Sequence, residues 1–149
     1  MKPDPQTVRS IGLSYVRNQL SHRGWNVMST ATNASGVDFL VHGQEGSRKL
    51  TIKVRALSRR KAVSLGATLD NLLADYLVVC RRVIEDNPEC FILSQEEVKE
   101  LANRNERDGR VSYWLEPRDY DTERFREGWG RLGSEVDQVL LTNRSKSDR

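Results

Sequence analysis

Cysteine is scarce in this chain, with two residues in 149, Cys80 and Cys90, and histidine is equally scarce. Neither thiol has the accompanying Cys or His spacing of a zinc site, and two are too few for a disulfide framework. Cys80 closes the apolar run 76–80, which reads as a buried small side chain rather than a reactive thiol. Long hydrophobic runs are missing as well. None approaches the roughly 20 residues needed to cross a membrane. Behind Lys2 the amino terminus has no apolar stretch, so it does not read as a secretory signal, and the cytoplasm is the expected location. No phosphate-cradling glycine loop and no Gly-x-Ser-x-Gly nucleophile turn is present. Aromatics are few, and Trp25, Trp114 and Trp129 are widely separated, which points to core packing rather than a base-stacking platform. His22 and His42 are isolated and read as surface or packing residues.

Acid is lacking from one stretch in particular. Between residues 48 and 61 stand Arg48, Lys49, Lys53, Arg55, Arg59, Arg60 and Lys61 without a carboxylate, and after Glu45 the next acid is Asp70. The overall balance is only mildly basic, with a net charge of +3, because acids gather later, in 85–100 and 119–137. A one-sign stretch suits a polyanion, and a solvated basic loop fits the pattern equally well. What remains is ordinary for a soluble globular chain: 37% hydrophobic and 30% charged residues, long enough for one domain with a real core.

Periodicity supplies an order of elements. Residues 6–23 carry apolar side chains at helical spacing (Val8, Ile11, Tyr15, Val16, Leu20), with Thr7 as a candidate cap and Gly24 as the stop. Short strands are expected at 25–28 and 37–42, with a polar loop at 30–36 between them. A turn at 43–46 leads into a strand at 49–55, where Leu50, Ile52 and Val54 point one way and Thr51, Lys53 and Arg55 the other. Residues 58–66 are ambiguous, and 70–74 suggest a short helical turn. Buried strands follow at 76–80 and 89–93. Ser94 and Glu97 have the spacing of a capping box opening a helix to about Ala102. A charged loop is expected at 103–110, a strand at 111–115, and helices at 121–129 and 134–141. One α/β domain thus spans 1–141, a mixed sheet flanked by helices, with 142–149 a disordered basic tail.

At Gly36-Val37-Asp38-Phe39-Leu40 and Thr51-Ile52-Lys53-Val54-Arg55 the chain resembles the PD-(D/E)XK nuclease superfamily. The resemblance covers roughly residues 11–80 and continues weakly into 91–101. It implies a restriction-endonuclease-like fold, with an acid from the first helix, an Asp opening one strand, and Glu/Gln-x-Lys on the next. Two carboxylates there would hold Mg²⁺, which activates water and polarises a phosphodiester. Asp38 matches the family's aspartate. Lys53 stands where the second acid belongs and Arg55 where the lysine belongs, while the helical acid falls near Gly12, Leu13 and Ser14, none of which is acidic.

The motif is therefore degenerate at the catalytic positions Asp38, Lys53 and Arg55. Lys53 could take the metal's place beside Asp38, and Arg55 offers a planar fork suited to phosphate. The plainer reading makes Asp38 a turn cap next to Gly36 and the two cations an exposed sheet face. Three functional readings follow. The first is a nucleic-acid-binding domain, with DNA favoured over RNA, no cofactor, and phosphate contacts from all seven cations of 48–61. The second is an active Mg²⁺-dependent endonuclease using Asp38 as metal ligand with a displaced acid from Glu45, Asp70 or Asp75. The third is a protein-interaction module or homodimer, a retired nuclease with the acidic carboxy-terminal helices around 123–137 as its contact surface.

Overall fold

The computed structural model describes residues 4–30, 36–43 and 48–133. Helix α1 (Pro5–His22) opens with proline at its first position, where the missing N–H costs nothing. Val8, Gly12, Val16 and Leu20 form its buried stripe. The chain reverses at Gly24, whose φ of 91° is open to glycine at no steric cost, and continues into β1 (Asn26–Ser29). Strands β2 (Phe39–His42) and β3 (Lys49–Leu57) follow, antiparallel in sequence with β1. The expected turn between them lies largely outside the described residues.

After β3 the chain leaves the sheet for β4 (Val63–Gly66) and a 3-10 turn at Leu69–Asn71, then returns as β5 (Tyr76–Arg81), parallel to β3. Strand β6 (Glu89–Ser94) pairs antiparallel with β5 and closes a five-stranded sheet of order β1-β2-β3-β5-β6. The mixed sheet expected from the sequence is present. Helix α2 (Gln95–Leu101) begins with the expected capping box: Ser94 Oγ accepts the Glu97 amide and Glu97 accepts the Ser94 amide.

Two expectations fail here. Residues 103–110 are not a charged loop but most of a hairpin, β7 (Asn103–Arg107) and β8 (Arg110–Leu115). Its two-residue turn is Asp108-Gly109 with φ of 53° and 76°, the positive values that match the twist of a hairpin. This hairpin joins β4 in a second, three-stranded sheet of order β4-β8-β7. Nor do residues 121–129 form a helix. Helix α3 (Pro117–Tyr120) is a single turn that ends there. The following segment runs irregularly along β6, where Phe125 accepts the Ile92 amide and the Glu127 amide donates to Cys90. A sheet edge has unpaired amides and carbonyls, and serving them outweighs the helical spacing of 121–129. A 3-10 turn at Trp129–Leu132 ends the described chain, so the helix expected at 134–141 and the tail lie outside it.

Both faces of the five-stranded sheet are covered. On one side Val16 and Leu20 of α1 pack with Ile52, Val54, Val78 and Trp129. On the other, Leu57, Leu77, Val79, Phe91 and Leu93 pack with Val98 of α2, Leu115 of β8 and Tyr120 of α3. Cys80 and Cys90 face each other across β5 and β6, fully buried, and burial pushes the Cys90 thiol far up, out of reach of thiolate chemistry. Trp25 and Trp129 are core, as expected. Trp114 is not: it is half-buried and belongs to neither core. No described helix is long and apolar enough to cross a membrane.

The contact between α1 and β3 sets how the helix approaches the strand. A Cβ built on Gly12 would lie 2.3 Å from Ala56 Cβ, so this turn of α1 touches β3 only because it has no side chain there. Gly12→Ala gains up to about 1 kcal/mol of helix propensity but forces an overpacked contact costing about 1–3 kcal/mol. Urea unfolding should show a lowered midpoint with an unchanged slope.

Candidate functional site

The ladder between β2 and β3 ends at Phe39–Ile52, followed by one further bond from the Asp38 amide to Ile52 O, 2.8 Å. Beyond that point β2 offers β3 no partner. The Asp38 side chain takes over: its Oδ2 accepts the Val54 amide at 2.8 Å. Thr30 holds the Asp38 backbone from the other side, its amide donating to Asp38 O at 3.0 Å. The carboxylate is 7% exposed, and two cations converge on it. Arg9 Nη2 donates to Oδ1 at 3.0 Å, and Lys53 Nζ lies 3.5 Å from Oδ2. Asp38 thus bonds the backbone of β3 rather than a turn beside Gly36, and it carries two ion-pair contacts besides.

Arg9 was not singled out from the sequence. It sits next to Val8 in α1, one step round from the buried stripe, and so points to the sheet margin rather than into the core. Arg55 lies two residues beyond Lys53 on the same face of β3 and is half-buried. Burial lowers its pKa, the charge of Asp38 works the other way, and Arg9 adds to the lowering. Arg9, Lys53 and Arg55 line a hollow of about 420 Å³ together with Lys61, Ser64 and Trp114. Lys53 and Arg55 also border an apolar hollow of about 320 Å³ formed by Leu65, Leu72, Tyr76 and Val98.

The seven cations expected to act together fall at three points along the chain, and of the third group Lys61 reaches the hollow of Lys53 and Arg55. At about 3.3 Å per residue along a strand, Arg48 stands roughly 23 Å from Arg55. Its guanidinium lies over Gly133, where a Cβ would meet Nη1 at 2.3 Å, and Lys49 beside it is exposed. Lys53 and Arg55 form the middle group. In the bend after β3, Arg59 and Lys61 are exposed, and Tyr120 Oη donates to Lys61 O, which pins the bend to α3. Arg60 is engaged elsewhere, its Nε 3.1 Å from Asp121 Oδ2, which also accepts Arg81 at 2.8 Å.

Of the acids considered as replacements, Asp70 and Asp75 do not join Asp38. Asp75 Oδ2 accepts the Thr51 amide at 2.9 Å and its hydroxyl at 3.1 Å. Asp70 lies exposed in the 3-10 turn, and Glu45 is outside the described residues. Among the described residues no three His, Cys, Asp or Glu side chains stand close enough to share an ion. The donor set around Asp38 does not fit Mg²⁺, which wants several oxygens and here would meet an ammonium and a guanidinium. Two unit like charges about 4 Å apart cost roughly 4 kcal/mol at an effective dielectric near 20, and a divalent ion doubles that.

No protein-family model and no curated protein sequence matches the chain. Among solved structures it is similar to Archaeoglobus fulgidus Hjc, a Holliday junction resolvase from an archaeal hyperthermophile, with a TM-score of 0.50 and 14% identity. The alignment covers 72% of this chain and 90% of the resolvase. The fold is restriction-endonuclease-like. The likeness extends to the fold alone.

Removing the carboxylate tests its charge environment. Carboxylates clustered for a metal repel one another when the ion is absent, so truncating one relieves strain. Here truncation strands the Val54 amide and two cations, and an unsatisfied buried group costs about 1–3 kcal/mol. Asp38→Ala should therefore lower the urea midpoint, and a raised midpoint would contradict the ion-pair assignment.

Proposed function

We propose that this chain is a nucleic-acid-binding domain of the PD-(D/E)XK type in which the protein's own cations hold Asp38, so that phosphate is bound and not cleaved. The observation that carries the reading is that Arg9, Lys53, Arg55 and Lys61 share one hollow, while Asp38 is bonded to two of them. The hollow is left with an excess of positive charge beside an open strand margin.

A phosphate diester suits such a place. The guanidinium of Arg55 is planar and presents paired donors, and Lys53 and Lys61 supply compact charge. These contacts touch phosphate rather than base edges, so they fix position and strength of binding without reading sequence. DNA is favoured over RNA because Archaeoglobus fulgidus Hjc, which is similar in fold, is named as a Holliday junction resolvase. A metal-dependent hydrolysis step is not part of the reading, since the donor set offers one carboxylate already engaged. Arg60 drops out of the phosphate contacts by virtue of its pairing with Asp121.

Fluorescence anisotropy with labelled single- and double-stranded DNA and RNA, with and without Mg²⁺ or Mn²⁺, tests both halves of the proposal. With about three or four phosphate contacts, the logarithm of affinity should fall against that of salt with a slope of about −3 to −4. Replacing Arg55 or Lys61 by alanine should make the slope shallower by about 1 each. No strand should be cut. Metal-dependent cleavage lost in Asp38→Ala would overturn the inactive reading, and absence of binding to every probe at low salt would overturn the binding reading.

A further inference from the structure

The register of the small sheet places an unusual set of side chains on one face. Trp114 pairs with Ser64 of β4 on one side and with Asn103 of β7 on the other. Ser112 pairs with Asn105, and Arg110 with Arg107. Successive residues of a strand point to opposite faces, so these groups share the face turned away from Val63 and Leu115, which are buried in the core. That outward face is polar and cationic apart from one indole.

Trp114 is held ready rather than packed away. Its Nε1 donates to Ser112 Oγ at 2.9 Å, which satisfies its polar atom and fixes the ring's orientation. The indole stands between two hollows. One is the cationic hollow of Arg9, Lys53, Arg55 and Lys61. The other, about 530 Å³, is lined by Asn105, Arg107, Arg110 and Ser112. Across both linings the only acid is Asp108, at the hairpin tip. Arg107 and Arg110 form no ion pair among the described residues, whereas Arg104, on the opposite face, pairs with Glu106 at 3.2 Å.

We infer that the outer face of β4-β8-β7 binds an unpaired nucleic-acid strand, with a base stacked on Trp114 and its flanking phosphates on the two cationic hollows. The inference rests on the nucleic-acid reading above and narrows its substrate. Bases inside a duplex present only their edges, whereas an unpaired base offers its whole face to an aromatic ring. Cation, aromatic, cation is the arrangement that such a strand needs.

Intrinsic fluorescence with unlabelled oligothymidylate reads the contact directly in the wild-type chain. Trp25 and Trp129 are 4% and 2% exposed, so quenching on binding reports Trp114. We expect strong quenching by the single strand and little by blunt duplex. Trp114→Leu should weaken single-strand binding about 5- to 150-fold, the range for one lost base stack, and weaken duplex binding by less, so that the preference for the single strand falls. Trp114→Phe should keep most of the affinity. Replacing Arg107 and Arg110 by alanine should make the single-strand salt slope shallower by about 0.7 each. Unquenched fluorescence at saturating single strand, or equal affinity in Trp114→Leu, overturns the inference. If binding nonetheless remains salt-sensitive and falls on loss of Arg55 and Lys61, the phosphate-binding reading stands and only the stacking face is wrong. If the wild-type chain binds neither strand form, both fail together.

Discussion

Where β2 parts from β3, the Asp38 carboxylate bonds the backbone of one strand, the guanidinium of α1 and the ammonium of Lys53. Three parts of the fold meet at that group, and the shape of the site follows from it. The bond to the Val54 amide lets β2 leave without stranding a buried donor. The pair with Arg9 ties the start of α1 to the same point. Further along α1, Gly12 allows contact with Ala56 that any side chain would prevent. Helix, strand margin and carboxylate therefore hold one another in register.

The same contacts determine what the site can hold. A lone carboxylate among cations is neutralised from within, and the charge left over is positive. That combination repels a divalent ion, and under the proposed function it is what binds phosphate. The position expected to supply the helical acid is Gly12 and its neighbours, and packing against Ala56 rules out any side chain at Gly12 without displacement of the helix. The absence of an acid at Gly12 and the close approach of the helix are thus compatible features of one arrangement.

Much of this was legible in the sequence. The spacing of Val8, Val16 and Leu20, the alternation along β3 and the Ser94–Glu97 capping box are local signals, and each resolves into the element it suggests. The juxtaposition of Asp38 and Lys53 followed from strand period and a family resemblance. Arg9 was invisible because its role depends on where the sheet margin falls, which no local pattern encodes. The β7–β8 hairpin had a readable sign in Asp108-Gly109, obscured by the charges on either side. Residues 121–129 keep helical spacing but answer to the open edge of β6, a tertiary demand absent from any window of sequence. Trp114 looked like core because tryptophan usually is, and only the register of the second sheet turns it outward.

Paramagnetic titration of the ¹⁵N-labelled chain with Mn²⁺, followed through the backbone amides of Phe39 and Val54, tests the occupation of Asp38 most directly. If Arg9 and Lys53 hold the carboxylate, these resonances should broaden no more than those of exposed acidic segments. Selective broadening at Phe39 and Val54 that Asp38→Asn abolishes would mean that a divalent ion displaces the cations, and the account would be wrong at its centre.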